Sequence, residues 1–147
     1  MNKLDKPGEQ KGLKNLIVWQ KSMGFTVNIC KYSLTKLPDN EKWALSDQLR
    51  RSSQSIPANI AEGYGRYYFQ EGVRYAYIAR GSLEETLNHL SFAKEMGYLS
   101  STDFDSLSSD IAEIRRLISG YINYLKKSKR GINEPGSQYL AISGESE

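Results

Sequence analysis

Phe104-Asp105-Ser106-Leu107-Ser108-Ser109-Asp110-Ile111-Ala112-Glu113-Ile114-Arg115-Arg116-Leu117-Ile118-Ser119-Gly120-Tyr121-Ile122-Asn123-Tyr124-Leu125 is the stretch that decides the fold. Its apolar positions Phe104, Leu107, Ile111, Ile114, Ile118, Tyr121 and Leu125 recur three and four apart without a miss, which is the repeat of a helix packing one seam against other helices. Ser100 or Ser101 stands where an N-cap is needed. A seam this long requires partner helices, and the preceding chain supplies three.

A third helix is predicted from Phe69 to Met96 through Ala76, Ala79, Leu83, Leu87 and Leu90, with Gly97 closing it. A second, from Asn40 to Gly63, carries Leu45, Leu49, Ile56 and Ile60 at helical spacing, and Gly63-Tyr64-Gly65 is its natural stop. Pro57 within it removes an amide donor and crowds the Ser53 carbonyl, at roughly 3 kcal/mol in an unrelieved helix interior, so a bend is expected there. The first helix is predicted from Lys14 to Leu37, with Leu16, Trp19, Met23, Val27, Cys30, Leu34 and Leu37 on its apolar side and Pro38-Asp39-Asn40 ending it. No strand alternation and no internal repeat is present.

Four such helices with short connections fold as an all-α, antiparallel up-down-up-down four-helix bundle. The bundle is assigned to residues 13–130, a flexible N-terminal arm to 1–12, and a flexible tail rich in Gly, Ser, Pro and acids to 131–147. At 147 residues with 39% hydrophobic composition, one domain with a single core is expected. No apolar run approaches the ~20 residues that span a bilayer, and the first residues lack a signal-peptide core, so a cytoplasmic location without membrane partners is expected. The single cysteine, Cys30, cannot form an internal disulfide and reads as a small buried hydrophobe.

The net charge of +3 is modest but unevenly placed. Antiparallel topology sets the start of helix one, the end of helix two, the start of helix three and the end of helix four at one pole. That pole collects Lys14, Arg66, Arg74, Lys126, Lys127, Lys129 and Arg130, while Asp39, Glu41, Asp47, Glu95, Asp103, Asp105 and Asp110 fall at the other. Lys126, Lys127 and Lys129 complement the dipole of their own helix, but Lys14 and Arg74 lie near helix starts, where cations are disfavoured and an external anion is the better match. The basic pole is therefore the candidate nucleic-acid-binding site.

On helix two, Arg51, Ser55, Asn59, Glu62 and Arg66 form a polar stripe beside the apolar one, read as a structural or interface network. Glu62 and Arg66 are spaced to pair, and Asn59 and Ser55 can serve backbone groups loosened by Pro57. Tyr64, Tyr67, Tyr68, Tyr75 and Tyr77 interleave with Arg66, Arg74 and Arg80. These rings read as filling for the bundle end or a subunit interface, with Tyr67 and Tyr68 the remaining candidates for base stacking. Ser52, Ser53, Ala58, Ala61 and Gly81-Ser82 are expected to mark close approaches of helices or subunits. Catalysis is not expected: His89 is the only histidine, and neither a metal-ligand pattern, a cofactor motif nor a nucleophile-base set is present.

The run Arg50-Arg51-Ser52-Ser53-Gln54-Ser55-Ile56-Pro57-Ala58-Asn59-Ile60-Ala61-Glu62-Gly63-Tyr64-Gly65-Arg66, with Leu16-Ile17-Val18-Trp19-Gln20-Lys21 and Ile78-Ala79-Arg80-Gly81-Ser82-Leu83-Glu84-Glu85, resembles the four-helix-bundle proteins encoded in intervening sequences of bacterial 23S rRNA genes. Accessory proteins of diversity-generating retroelements look like relatives. The resemblance, from about Leu13 to Lys127, implies a helical bundle assembled as a ring-shaped homopentamer, with nucleic acid (RNA or DNA) as partner and no known catalysis. It leaves open a protein-docking ring whose partner is a protein such as a reverse transcriptase.

Overall fold

The computed structural model describes residues 12–129. Arg130, residues 1–11 of the expected arm and the expected tail lie outside them. Four helices form: α1 (Ile17–Asn28), α2 (Leu45–Tyr64), α3 (Phe69–Glu95) and α4 (Ser101–Ser128), and the described residues contain no strand. A 3-10 turn, Leu13–Asn15, precedes α1, and a π-helical turn, Ile29–Ser33, prolongs it.

Consecutive helices run antiparallel. Along α2 and α3, Gly63 meets Gly72, Ser55 meets Ser82 and Ser52 meets Thr86. Along α3 and α4, Leu125 packs on Gly72, Arg115 reaches Glu84 and Lys94 lies over Phe104. α1 closes the bundle against α4, where Lys21 faces Glu113 and Lys36 pairs with Asp103.

The α4 seam is buried from Leu107 to Tyr121, with Phe104 and Leu125 at its half-buried ends. Ser100 caps the helix, its Oγ accepting the Asp103 amide at 3.1 Å. α3 ends as expected at Gly97, whose φ of +79° closes a double hydrogen-bonded turn: Gly97 N–H to Lys94 O and Tyr98 N–H to Ala93 O.

The first helix departs from its expected face. Val18, Ser22, Phe25, Thr26, Ile29 and Ser33 are buried, whereas Trp19, Met23, Val27 and Cys30 line an open groove against Gln54, Pro57, Ala58 and Ala61 of α2. Cys30 is only half-buried. Hydroxyl groups occupy the interior where an acceptor is in reach: Ser22 Oγ donates to Val18 O at 2.6 Å, and Thr86 Oγ1 donates to Ser82 O at 2.8 Å.

The same device explains Pro57. α2 continues past the proline, and the Ser53 carbonyl that lacks its amide partner accepts the Thr26 hydroxyl of α1 at 2.7 Å. Thr26→Val keeps the shape and removes that donor. It is expected to cost about 1–3 kcal/mol in denaturant titration, because a buried carbonyl loses its only substitute partner.

Gly81 was expected at a close approach, but it is exposed and a Cβ there would meet nothing within 4 Å. The close contacts belong to Gly63 and Gly72. A Cβ on Gly63 would stand 2.8 Å from the Tyr75 Cβ, so only glycine lets α2 and α3 meet there. Gly63 thus serves both as a packing contact and as part of the expected stop, since α2 ends at Tyr64 with Gly65 as its C-cap.

Candidate nucleic-acid interface

The α2 C-terminus, the α2–α3 connection, the α3 N-terminus and the last turn of α4 come together with the approach to α1. Gly12, Asn15, Gly63, Arg66, Gly72 and Ser128 line one shared cavity. Among the described residues, Lys14, Arg66, Arg74, Lys126, Lys127 and Lys129 all belong to segments at this end. Lys14 is exposed in the 3-10 turn ahead of α1, with its carbonyl accepting the Gln20 side-chain amide.

Arg66 donates to Glu62 Oε1 at 2.7 Å and to the Tyr75 hydroxyl at 3.3 Å. The Glu62 hydrogen bond, reinforced by Tyr75, raises the guanidinium pKa further, so its charge is permanent. Arg66 and Arg74 both lie against the Tyr75 ring, at 5.5 and 5.8 Å from its centroid. Tyr77 is flanked in the same way by Arg80 at 4.7 Å and Lys126 at 5.6 Å, and the Lys126 ammonium donates to its hydroxyl at 3.4 Å. The two half-buried rings hold four cations in place, each contact worth about 0.5–1 kcal/mol at an exposed site.

Arg80 was absent from the candidate cations. Its signal was the Tyr77–Arg80 spacing of three, one helical turn apart. Tyr67 is exposed and makes an edge-to-face contact with Tyr68, with centroids 5.4 Å apart. Lys129 ends α4 with φ +48°, a left-handed conformation that glycine adopts more readily than lysine.

The polar stripe of α2 divides into three groups. Arg51 pairs with Asp47 at 3.2 Å, Asn59 Nδ2 donates to both the Ser55 carbonyl and the Ser55 hydroxyl at 2.8 Å, and Arg66 pairs with Glu62. Ser55 then meets Ser82 of α3 at 2.8 Å. Ser55 and Asn59 thus tie α2 to α3, while the carbonyl released by Pro57 is served by Thr26.

The opposite end is mixed rather than acidic, because Lys36, Lys42 and Lys94 share it. Lys36 pairs with Asp103, and that hydrogen bond lowers the Asp103 pKa. The stability this pair provides is present above the ordinary carboxylate range and fades as pH falls through the depressed value. Asp110, towards the middle of α4, goes the other way: burial, then the neighbouring Glu113, raises its pKa. Among the described residues no cluster of His, Cys, Asp and Glu is suited to a metal, and no helix is long and apolar enough to cross a membrane.

No curated protein shows a significant match to the chain. In structure it is similar to a protein of unknown function from the S23 ribosomal protein family of Bacteroides thetaiotaomicron VPI-5482. That likeness has a TM-score of 0.66 at 26% identity and covers 72% of this chain and 98% of the other. The family model described as 23S rRNA-intervening sequence protein matches residues 14–120, which takes in α1, α2, α3 and most of α4. The chain belongs to the 23S rRNA-intervening sequence protein family.

Proposed function

We propose that this protein is an oligomeric nucleic-acid-binding structural accessory protein, with RNA as its partner and the basic end of the bundle as its contact surface. The observation that carries the reading is the gathering of exposed cations at one end of the bundle. Elsewhere Lys21, Lys36, Arg51 and Arg115 have carboxylate partners, the Arg115–Glu84 pair as a two-bonded fork, and at this end Arg66 pairs with Glu62. Lys14, Arg74, Lys127 and Lys129 are exposed at one end and have no carboxylate within ion-pair distance among the described residues.

Lys14 and Arg74 oppose the local helix dipoles, and Lys129 holds a backbone conformation that lysine does not favour. A polyanion seated at this end would offset the cost to Lys14 and Arg74. Phosphate contacts would then supply the affinity with little base selectivity, since no dedicated recognition motif is present.

Oligomerisation would multiply the contact. The groove between α1 and α2, about 630 Å3 and walled by Trp19, Met23, Val27, Cys30 and Pro57, supports self-association, as do Ile78 and Phe92 exposed on α3. Light scattering at micromolar concentration is expected to give the mass of a multimer, a homopentamer by family resemblance; a monomer would remove the ring. The same exposed apolar side chains favour a second reading, in which the ring docks a protein such as a retroelement reverse transcriptase with little direct nucleic-acid contact. A pull-down from cell extract separates the two. Partners lost on nuclease treatment and at moderate salt support the first reading, and a protein retained through both supports the second.

A further inference from the structure

The end of the bundle that gathers the cations also holds a cavity of about 430 Å3, within the ~300–1,000 Å3 range of small-ligand sites. Helices α2, α3 and α4 and the turn ahead of α1 contribute to it. Its walls are rich in rings: Tyr64, Phe69, Tyr121 and Tyr124, with Arg66 and Asn15 beside them. Gly63 and Gly72 form part of the same wall, where α2, α3 and α4 approach without side chains between them; a Cβ on Gly72 would come within 3.1 Å of Leu125. Tyr124 is 64% exposed, so one ring is reachable from solvent.

The rim is charged. Lys14 adjoins Asn15 in the chain, and Lys127 and Lys129 bracket Ser128, both Asn15 and Ser128 being wall residues. An apolar ligand would not call for cations at this end, and a free anion would not call for rings in the wall. An unpaired base on a sugar-phosphate backbone calls for both, because its flat π face stacks on aromatics while its flanking phosphates seek lysine and arginine.

We propose that this cavity receives one unpaired base of a single-stranded RNA held at the basic end, a reading that rests on the nucleic-acid function above and adds a base subsite to it. Stacking on tyrosine and phenylalanine is tolerant of base identity, because every base has a π face. Single strands are therefore favoured over duplexes, whose bases are already stacked on one another.

The test uses the full chain and two end-labelled RNA strands of equal length and charge, one with its central nucleotides abasic. At a fixed low salt concentration the abasic strand is expected to bind at least about fivefold more weakly, the low end of what one stacked base contributes. Tyr124→Ala is expected to bind both strands with the lower affinity and to lose the discrimination, with helical circular dichroism retained because the ring is exposed. Tyr32→Ala, an exposed ring on the π turn at the other end of the bundle, is expected to behave as the parent protein. Equal affinity for both strands with a steep salt dependence overturns the base subsite and leaves the basic-end function standing. Discrimination that survives in Tyr124→Ala also overturns it, since the base is then held elsewhere. Undetectable binding of either strand at low salt overturns the function and the subsite together.

Discussion

Reversing Lys126 and Lys127 together to Glu is expected to weaken RNA binding across all sequences and to flatten its dependence on salt. Each phosphate contact of a single strand contributes roughly −0.7 to the slope of log affinity against log salt, so two lost contacts reduce its magnitude by roughly 1.4. Two acidic groups would also repel the strand, which makes the loss larger than neutralisation alone. The double Lys→Gln variant isolates the smaller effect. Because Lys126 also touches the Tyr77 ring and both lysines lie in the last turn of α4, reversal further costs about 0.3–1 kcal/mol per residue against the helix dipole. Circular dichroism and thermal melting separate that local cost from lost binding. The control belongs at the other end of the bundle, where Asp39→Lys with Asp105→Lys is expected not to weaken binding. Both of those carboxylates are exposed, whereas Asp103 is engaged with Lys36 and its replacement would disturb the α1–α4 contact.

Ile114→Asp is expected to unfold the protein. Ile114 is 2% exposed on the α4 seam, close to Phe25 of α1, and the neighbouring Lys21 ammonium is already paired with Glu113. An unpaired buried charge and the lost apolar contact together cost several kcal/mol, comparable with the ~5–15 kcal/mol that holds a typical domain. Ile114→Val, which removes one methyl group, is expected to cost only about 0.5–1.5 kcal/mol. Loss of the far-ultraviolet helical signal in the first variant and a small shift in the second check the pair. A soluble Ile114→Asp protein with an unchanged cooperative melt would remove Ile114 from the core.

The contrast between α4 and α1 shows which parts of this fold a sequence can disclose. Along α4, most residues outside the seam are polar, so periodicity identifies the buried face apart from Ile122, which is also interior. Around α1, Leu16, Ile17, Val18, Trp19, Met23, Phe25, Val27 and Ile29 point in nearly every direction, and hydrophobicity gives no single answer. The deciding residues are Ser22, Thr26 and Ser33, which look like surface and are interior. Ser22 relies on an acceptor one turn back, and Thr26 on one across the interface, the carbonyl freed by Pro57. A proline in one helix thus helps choose the face of another, which no local pattern encodes.

The candidate site divides in the same manner. That cations collect at one end follows from four alternating helices and their charge order, both readable along the chain. How Arg66, Arg74, Arg80 and Lys126 are held depends on the rotation of α3, which turns Tyr75 and Tyr77 to receive them. Rotation is set by the close contact of Gly63 with Gly72 and Tyr75, and the spacing of those residues resembles an ordinary helix stop followed by an ordinary start. The salt links from Lys21 and Lys36 to α4 likewise become visible only once α1 and α4 are neighbours.

The central claim is that exposed, unmatched cations at one end of the bundle bind the RNA backbone. Fluorescence anisotropy of a labelled single-stranded RNA, titrated with the unmodified full chain at several salt concentrations, tests it most directly. The account predicts tight binding at low salt whose log affinity falls linearly and steeply with log salt, with little difference between unrelated sequences. Affinity that is undetectable at low salt, or that stays level as salt rises, would contradict it.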